Sequence, residues 1–374
     1  MGRKDVLIEG DKVIKIADRI AGDYSELNVK TVEAEGKTLV PGFVDQHVHV
    51  IGAGGEAGFA TRTPEMQISN IVKHGITTIV ALHGTDGTAR NIEALYAKTC
   101  ALEEEGITAR MLTGSFEMPS ATLTGSVRRD MIFIDKVIGA KTAISDRRSS
   151  QPTKAMVEQL AAQAYTGGLA GGKRGYTHIH LGLSMLKDII RETEIPPYLL
   201  VPTHINRDKA LFEDAIEFAK MGGTIDITTG IGPEYGLPDS VKPSEAVRRC
   251  LEAGVDIERI TMSSDANGSM AVYDEDGTFK GLFVTTVESM FSEFRDIVLK
   301  ENLPLETAIR VVSTNAAKSI GMYPRKGGIQ EGQDADLILL GKDLEIDSVY
   351  AKGVLAAKNG VSLLHNAFEH STMM

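Results

Sequence analysis

The run Pro41-Gly42-Phe43-Val44-Asp45-Gln46-His47-Val48-His49 decides how this chain is read. It opens as an apolar strand and ends on His-x-His. Side chains alternate across a strand with period two, so His47 and His49 share a face and can turn to one ion. That spacing alone is weak; repetition around it gives it weight. Seven further apolar runs of strand length alternate with helix-length amphipathic segments, the pattern of a parallel sheet built from βα units. They end in Ile79-Val80-Ala81-Leu82-His83, Arg110-Met111-Leu112-Thr113-Gly114, Gly139-Ala140-Lys141-Thr142-Ala143, Thr177-His178-Ile179-His180, Val201-Pro202-Thr203-His204, Thr224-Ile225-Asp226-Ile227-Thr228 and Thr261-Met262-Ser263-Ser264-Asp265. Eight strands so arranged predict a (β/α)₈ barrel, whose strand ends converge on one mouth.

Helix punctuation agrees. Thr63 followed by Pro64 suits an N-cap and first helical position, and Gly75 suits the stop. Helices are expected near 89–105, 154–165, 208–221 and 243–253, with a longer helical region over 285–321. Outside the barrel, Asp5-Val6-Leu7-Ile8-Glu9 and Lys12-Val13-Ile14-Lys15-Ile16 read as short strands. Asp334-Ala335-Asp336-Leu337-Ile338-Leu339-Leu340 and Ile346-Asp347-Ser348-Val349-Tyr350-Ala351 have the same character. The economical organisation is a small β domain, sandwich-like, from residues 1–40 and 327–374, flanking a barrel over 41–326.

The chain has 374 residues, 42% hydrophobic and 24% charged, enough to bury a large core. Forty Lys and Arg against 51 Asp and Glu give a net charge of −11, which opposes attraction to nucleic acid or anionic membranes. Neither is expected as a partner; a small molecule is. Cys100 and Cys250 make no disulfide framework or thiolate metal site by themselves. The start, Met1-Gly2-Arg3-Lys4-Asp5, turns acidic before a signal-peptide core can form, so the cytoplasm is the default location.

Four of the nine histidines, His47, His49, His180 and His204, fall at predicted strand ends, and Asp265 ends the last strand. Each histidine alone could be a hydrogen-bonded core residue. Four imidazoles, a lysine and an aspartate in one apolar barrel would be costly to desolvate unless charged partners neutralised them, and divalent cations do so. His178 is read as facing away from His180 and structural. His83 has no matching partner, and His74, His365 and His370 read as surface residues. Lys141 is carried inward by Val137-Ile138-Gly139-Ala140. Burial and nearby positive charge depress a lysine pKa, and the neutral amine can be carboxylated by CO₂ to an anion able to bridge two metals. A buried pair of Lys141 with Asp265 is the plainer alternative.

With Gly54-Gly55-Glu56-Ala57-Gly58, Ser145-Asp146-Arg147-Arg148-Ser149, Pro202-Thr203-His204-Ile205-Asn206-Arg207 and Ser263-Ser264-Asp265-Ala266-Asn267-Gly268-Ser269 added to the opening run, the chain resembles the amidohydrolase superfamily. Within it, the resemblance is to the isoaspartyl (β-aspartyl) dipeptidase family. The resemblance implies two zinc ions, one held by His47, His49 and Asp265, the other by His180 and His204, with carboxylated Lys141 and a hydroxide between them. Such metal pairs acidify water and polarise the scissile carbonyl. It further implies Asp265 as general base and then acid, Glu56 for the substrate ammonium, and Arg148 and Arg207 for the carboxylates. Further contacts would come from Gly54, Thr85 and Ser269. A large homo-oligomer, an octamer, is implied as well.

One position departs from the family pattern. In Leu112-Thr113-Gly114-Ser115-Phe116-Glu117-Met118, Phe116 stands where the family carries a tyrosine that donates to the developing oxyanion. Losing such a donor lowers kcat by about 10²–10³. An inactivating change, another donor or an altered substrate preference would each account for it. The expected activity is therefore metal-dependent cleavage of isoaspartyl dipeptides. The alternatives are an amidohydrolase for another small or cyclic amide, which would not need Glu56, Arg148 and Arg207, and a catalytically silent metal-binding homologue.

Overall fold

The computed structural model describes residues 2–22, 29–273 and 279–369; His370 lies outside the described residues. Eight parallel strands follow one another in chain order around one sheet: Phe43–Val48, Ile76–Ala81, Thr108–Gly114, Val137–Ala143, Tyr176–His180, Leu200–Thr203, Ile225–Thr228 and Ile260–Ser263. A parallel bridge from Val48 to Ala266 brings the last strand's end against the first, so the sheet is a nearly closed barrel, as the eight runs predict. Nearly every strand residue is buried, which parallel strands covered on both faces require.

Alternation divides the apolar residues between two cores. Val44, Val80, Leu112, Ile138, Tyr176 and Val201 meet inside the barrel and pack with Ala316, Ala317 and Ile320 from the last helical segment. Ile79, Ile179 and Ile227 belong to the outer core, with Leu95, Leu160 and Phe212 of the surrounding helices.

The expected helices are present as Ile92–Glu104, Lys154–Gly171, Lys209–Lys220 and Pro243–Glu252. Asn91, Thr153 and Asp208 cap the first three with side-chain oxygens, and Pro243 opens the fourth. Two expectations need correction, and two helices are added. The helix before Gly75 is only Ile68–Val72, because the Thr63 hydroxyl is spent on Ala53 and Asn267 of the mouth loops instead of capping. The region 285–321 breaks at Lys300 to Pro304 into Glu288–Leu299 and a second run, Leu305–Ile309, Arg310–Thr314 in π form and Asn315–Ser319. Helices Val127–Phe133 and Leu183–Glu192 were not anticipated.

Both chain ends meet outside the barrel. Thr38–Pro41 pairs antiparallel with Leu337–Leu340 in a five-stranded sheet completed by Ile346–Ala351, Val354–Lys358 and Val361–Ser362. The hairpin of Asp5–Glu9 and Lys12–Ala17 is a separate two-stranded sheet, docked by Val13 against Ala335 and Leu337. A second hairpin, Ser269–Tyr273 with Phe279–Val284, follows the last barrel strand. Among the described residues, no helix is long and apolar enough to cross a membrane.

Candidate metal and substrate site

The strand ends gather the histidines as their spacing predicts. Asp45, at the centre of the first strand, accepts from the Ser264 backbone N–H at 3.1 Å and from the Ser264 hydroxyl. This bond sets His-x-His beside Asp265. Oδ1 of Asp265 lies 3.0 Å from Nε2 of His49 and 3.3 Å from Nε2 of His47, and Oδ2 lies 3.9 Å from Nδ1 of His204. His204 and Asp265 sit at φ 60° and 55°, the left-handed region that non-glycine residues seldom occupy and that concentrates at functional sites.

All four histidines are buried. Burial lowers the His180 imidazole to about 3, with its Asp146 hydrogen bond opposing, and holds His47 and His204 well below the ordinary range, helped by Lys141 and the neighbouring imidazoles. Uncharged rings with free lone pairs are the form in which histidine binds metals. Lys141 is fully buried, and desolvation brings its ammonium down to about 7 against the pull of Asp265 and Asp226.

The residues present fit a metal centre. Nζ of Lys141, Nδ1 of His49 and Nδ1 of His180 are buried without a hydrogen-bond partner, whereas buried polar atoms are nearly always paired. Among the described residues, two sets place ligand atoms within 4.8 Å of one another: His47, His204 and Asp265, and His47, His178 and Asp226. The second set corrects the expectation for His178. Two residues before His180, it shares that strand face and reaches His47, with Nε2 at 2.9 Å from Nδ1. His83 follows the second strand, buried, with Nε2 unpartnered.

The charged residues expected to hold substrate lie at the same mouth. Glu56 accepts from Thr85 Oγ1 at 3.0 Å, Ser269 Oγ at 3.0 Å and Arg148 Nη1 at 3.3 Å. Its loop turns at Gly54, φ 79°, where a Cβ would fall 2.3 Å from the Thr61 carbonyl oxygen. Arg148 gives Nε and Nη2 to Asp146 at 3.0 and 2.8 Å, and Arg207 approaches the same carboxylate at 4.0 Å. Phe116 is buried, with its ring 4.6 Å from that of His180 and its face toward Arg148, 5.7 Å away. A cleft of about 30 Å³ lies among His47, His180, His204, Asp265 and Phe116. It shares Glu56, Thr85 and Arg148 with an outer cavity of about 380 Å³.

Sequence reasoning missed Asp146, which accepts from Nε2 of His180 at 2.8 Å, and Thr228, 2.8 Å from Nδ1 of His204. Asp146 had a signal in its place two residues before Arg148; Thr228 had only its place at a strand end.

A barrel with this polar mouth is the architecture of the amidohydrolases. Residues 38–356 match the amidohydrolase family, and the chain belongs to it. Among similar solved structures is a beta-aspartyl dipeptidase from Fervidobacterium islandicum AW-1 in complex with a beta-Asp-Leu dipeptide. It is 41% identical, with 97% of this chain and 94% of that chain covered and a TM-score of 0.88. An L-hydantoinase of Paenarthrobacter aurescens is 24% identical over 92% of this chain and 82% of its own length. An adenine deaminase of Bacillus pumilus (strain SAFR-032) is 24% identical over 95% of this chain, which spans about half, 54%, of the deaminase.

Proposed function

We propose that the chain is a binuclear zinc dipeptidase that hydrolyses the β-aspartyl amide bond of isoaspartyl dipeptides. The observation that carries this reading is the convergence of two sets in one mouth. A histidine, lysine and aspartate cluster with unpartnered buried nitrogens lies beside Glu56, Arg148 and Arg207, an anion and two cations. A β-aspartyl dipeptide carries one ammonium and two carboxylates; a neutral cyclic amide has no use for that set.

In this reading His47, His49 and Asp265 would hold one ion and His180 and His204 the other, with carboxylated Lys141 as a ligand shared by both. Bound there, the ions would acidify the attacking water and polarise the scissile carbonyl. Asp265 takes the proton released as the new C–O bond forms and delivers it to the departing amine as the C–N bond breaks. Glu56, oriented by Thr85 and Ser269, receives the substrate ammonium. Arg148 keeps Nε and Nη2 on Asp146 and Nη1 near Glu56, so the second N–H groups of Nη1 and Nη2 serve a carboxylate; Arg207 serves the other. Gly54 contributes backbone. Phe116 supplies a ring without a hydroxyl, so the oxyanion gains nothing from that position. A large homo-oligomer, an octamer, and a cytoplasmic location belong to the same reading.

Hydrolysis of β-Asp-Leu and α-Asp-Leu, followed by release of free leucine, is the direct test. A strong preference for the β isomer with about two zinc per chain is expected. Equal rates on the two peptides would remove the proposed specificity, and a zinc-free protein would remove the metal site.

A further inference from the structure

We propose that His178 is a positioning residue for the zinc ligand His47: an uncharged acceptor that fixes which ring nitrogen of His47 faces the cation. The inference rests on the zinc site proposed above.

With a cation on Nε2 of His47, the geometry leaves one arrangement of protons. Nδ1 of His47 and Nε2 of His178 are 2.9 Å apart, and both rings are buried. Two lone pairs, or two hydrogens, would repel at that distance, so one nitrogen donates and the other accepts. Nε2 of His47 is the nitrogen on the Asp265 side, 3.3 Å from Oδ1. A cation held there needs the lone pair of Nε2. The His47 proton must then sit on Nδ1 and point at His178, whose Nε2 is the acceptor. His178 in turn carries its proton on Nδ1, which has no hydrogen-bond partner.

The strand register gives His178 its reach. Across the neighbouring strands Lys141 is level with His178, and Ala143 with His180, so His178 stands one inward-facing position deeper than His180, beneath the ligands. The partner of a metal-bound histidine is usually a carboxylate or a carbonyl. A carboxylate is close, because Asp226 belongs to the same cluster. Its oxygens, however, are engaged by Gln46 Nε2 at 2.7 Å, Thr203 Oγ1 at 2.7 Å and Ser263 Oγ at 2.5 Å. His47 is left with a neutral imidazole, which draws less on the Nδ1 proton than a carboxylate would. His47 therefore stays a neutral ligand, and the cation keeps more of its charge for polarising substrate.

The test uses the full-length protein stripped of metal and titrated with zinc against a chromophoric chelator. Wild type, His178→Leu and His178→Gln are compared. Leucine keeps the bulk and removes the acceptor; the glutamine amide oxygen can take the place of Nε2. Zinc affinity is expected to fall about 10–100-fold in His178→Leu and to recover most of that loss in His178→Gln. Leucine binding zinc as tightly as wild type, or glutamine binding as weakly as leucine, would overturn the assignment. Should the variants not fold, imidazole ¹⁵N spectra of the zinc-loaded wild type decide instead. They should show His47 protonated at Nδ1 and His178 unprotonated at Nε2, and the reverse would overturn it. Wild type taking up no zinc would be a failure of the proposed function itself and is seen in the same titration.

Discussion

Oδ2 of Asp146 lies 2.8 Å from Nε2 of His180 and 2.8 Å from Nη2 of Arg148. One oxygen therefore orients a candidate metal ligand and a candidate substrate clamp. Burial opposes ionisation of this carboxyl, yet the hydrogen bonds from His180 and Arg148 outweigh it and hold the group well below the usual carboxylate range. Asp146→Asn keeps the shape but loses an acceptor. Zinc affinity is expected to fall about 10-fold or more, and the KM for β-Asp-Leu to rise with it. Chelator competition and steady-state kinetics on one preparation check this. A raised KM at unchanged zinc affinity would show that the oxygen serves Arg148 alone.

Phe116 sits over the cleft with its ring against His180 and Arg148. In the proposed function, a hydroxyl added at its edge serves as the donor to the carbonyl oxygen on which negative charge develops. Phe116→Tyr is expected to raise kcat on β-Asp-Leu by up to about 10²–10³ with little change in KM, the signature of a contact made only in the transition state. Comparing kcat and KM separately for the two proteins checks this. An unchanged kcat would place the oxyanion donor elsewhere.

The barrel was legible because its signal is local. Apolar runs ending on polar residues mark strand after strand, and Asn91, Thr153 and Asp208 mark the helix starts between them. Leu183–Glu192 escaped because it follows Gly182 with no capping side chain, and Val127–Phe133 because seven residues carry too little periodicity. Thr63 misled for the opposite reason: its capping chemistry is used, but on the loops of the mouth. His178 was misread by an error of parity, since period two puts it on the face of His180. Asp146 is legible only through Arg148 two residues on; its bond to His180 spans 34 residues and that of Asp226 to Gln46 spans 180, and spacing cannot reveal such pairs.

Lys141 makes carbon dioxide part of the proposed centre. Its Nζ is buried without a hydrogen-bond partner, and the attraction of Asp265 and Asp226 does not make up for its desolvation. Metal-free protein given zinc in CO₂-depleted buffer is expected to fill slowly and below two zinc per chain, and added bicarbonate to restore filling. Lys141→Met, which keeps the stem and cannot be carboxylated, should stay below two zinc per chain and not respond to bicarbonate. Zinc per chain after gel filtration is the measurement, and wild type filling at one rate with and without bicarbonate would argue against a carboxylated lysine.

Away from the mouth, Lys326 joins the last helical segment to the terminal sheet. Its side chain is 1% exposed, with Nζ 2.8 Å from Asp334 and hydrogen-bonded to Asp336. Asp336 also accepts from the Lys352 backbone N–H at 2.8 Å, and Asp334 is paired with Lys12, so the cluster ties both chain ends to the barrel. Removing one member of a buried ionic cluster leaves the others uncompensated, which costs about 3–5 kcal/mol. Lys326→Met is expected to lose that much stability in urea unfolding. Adding Asp336→Asn removes the charge left unpaired, so the double variant should be less destabilised than the sum of the single changes. Neither change touches the mouth, and kcat of the folded protein should hold. A loss below about 1 kcal/mol for Lys326→Met would mean that water reaches the cluster and that the two ends are held by the apolar contacts of Val13, Ala335 and Leu337 alone.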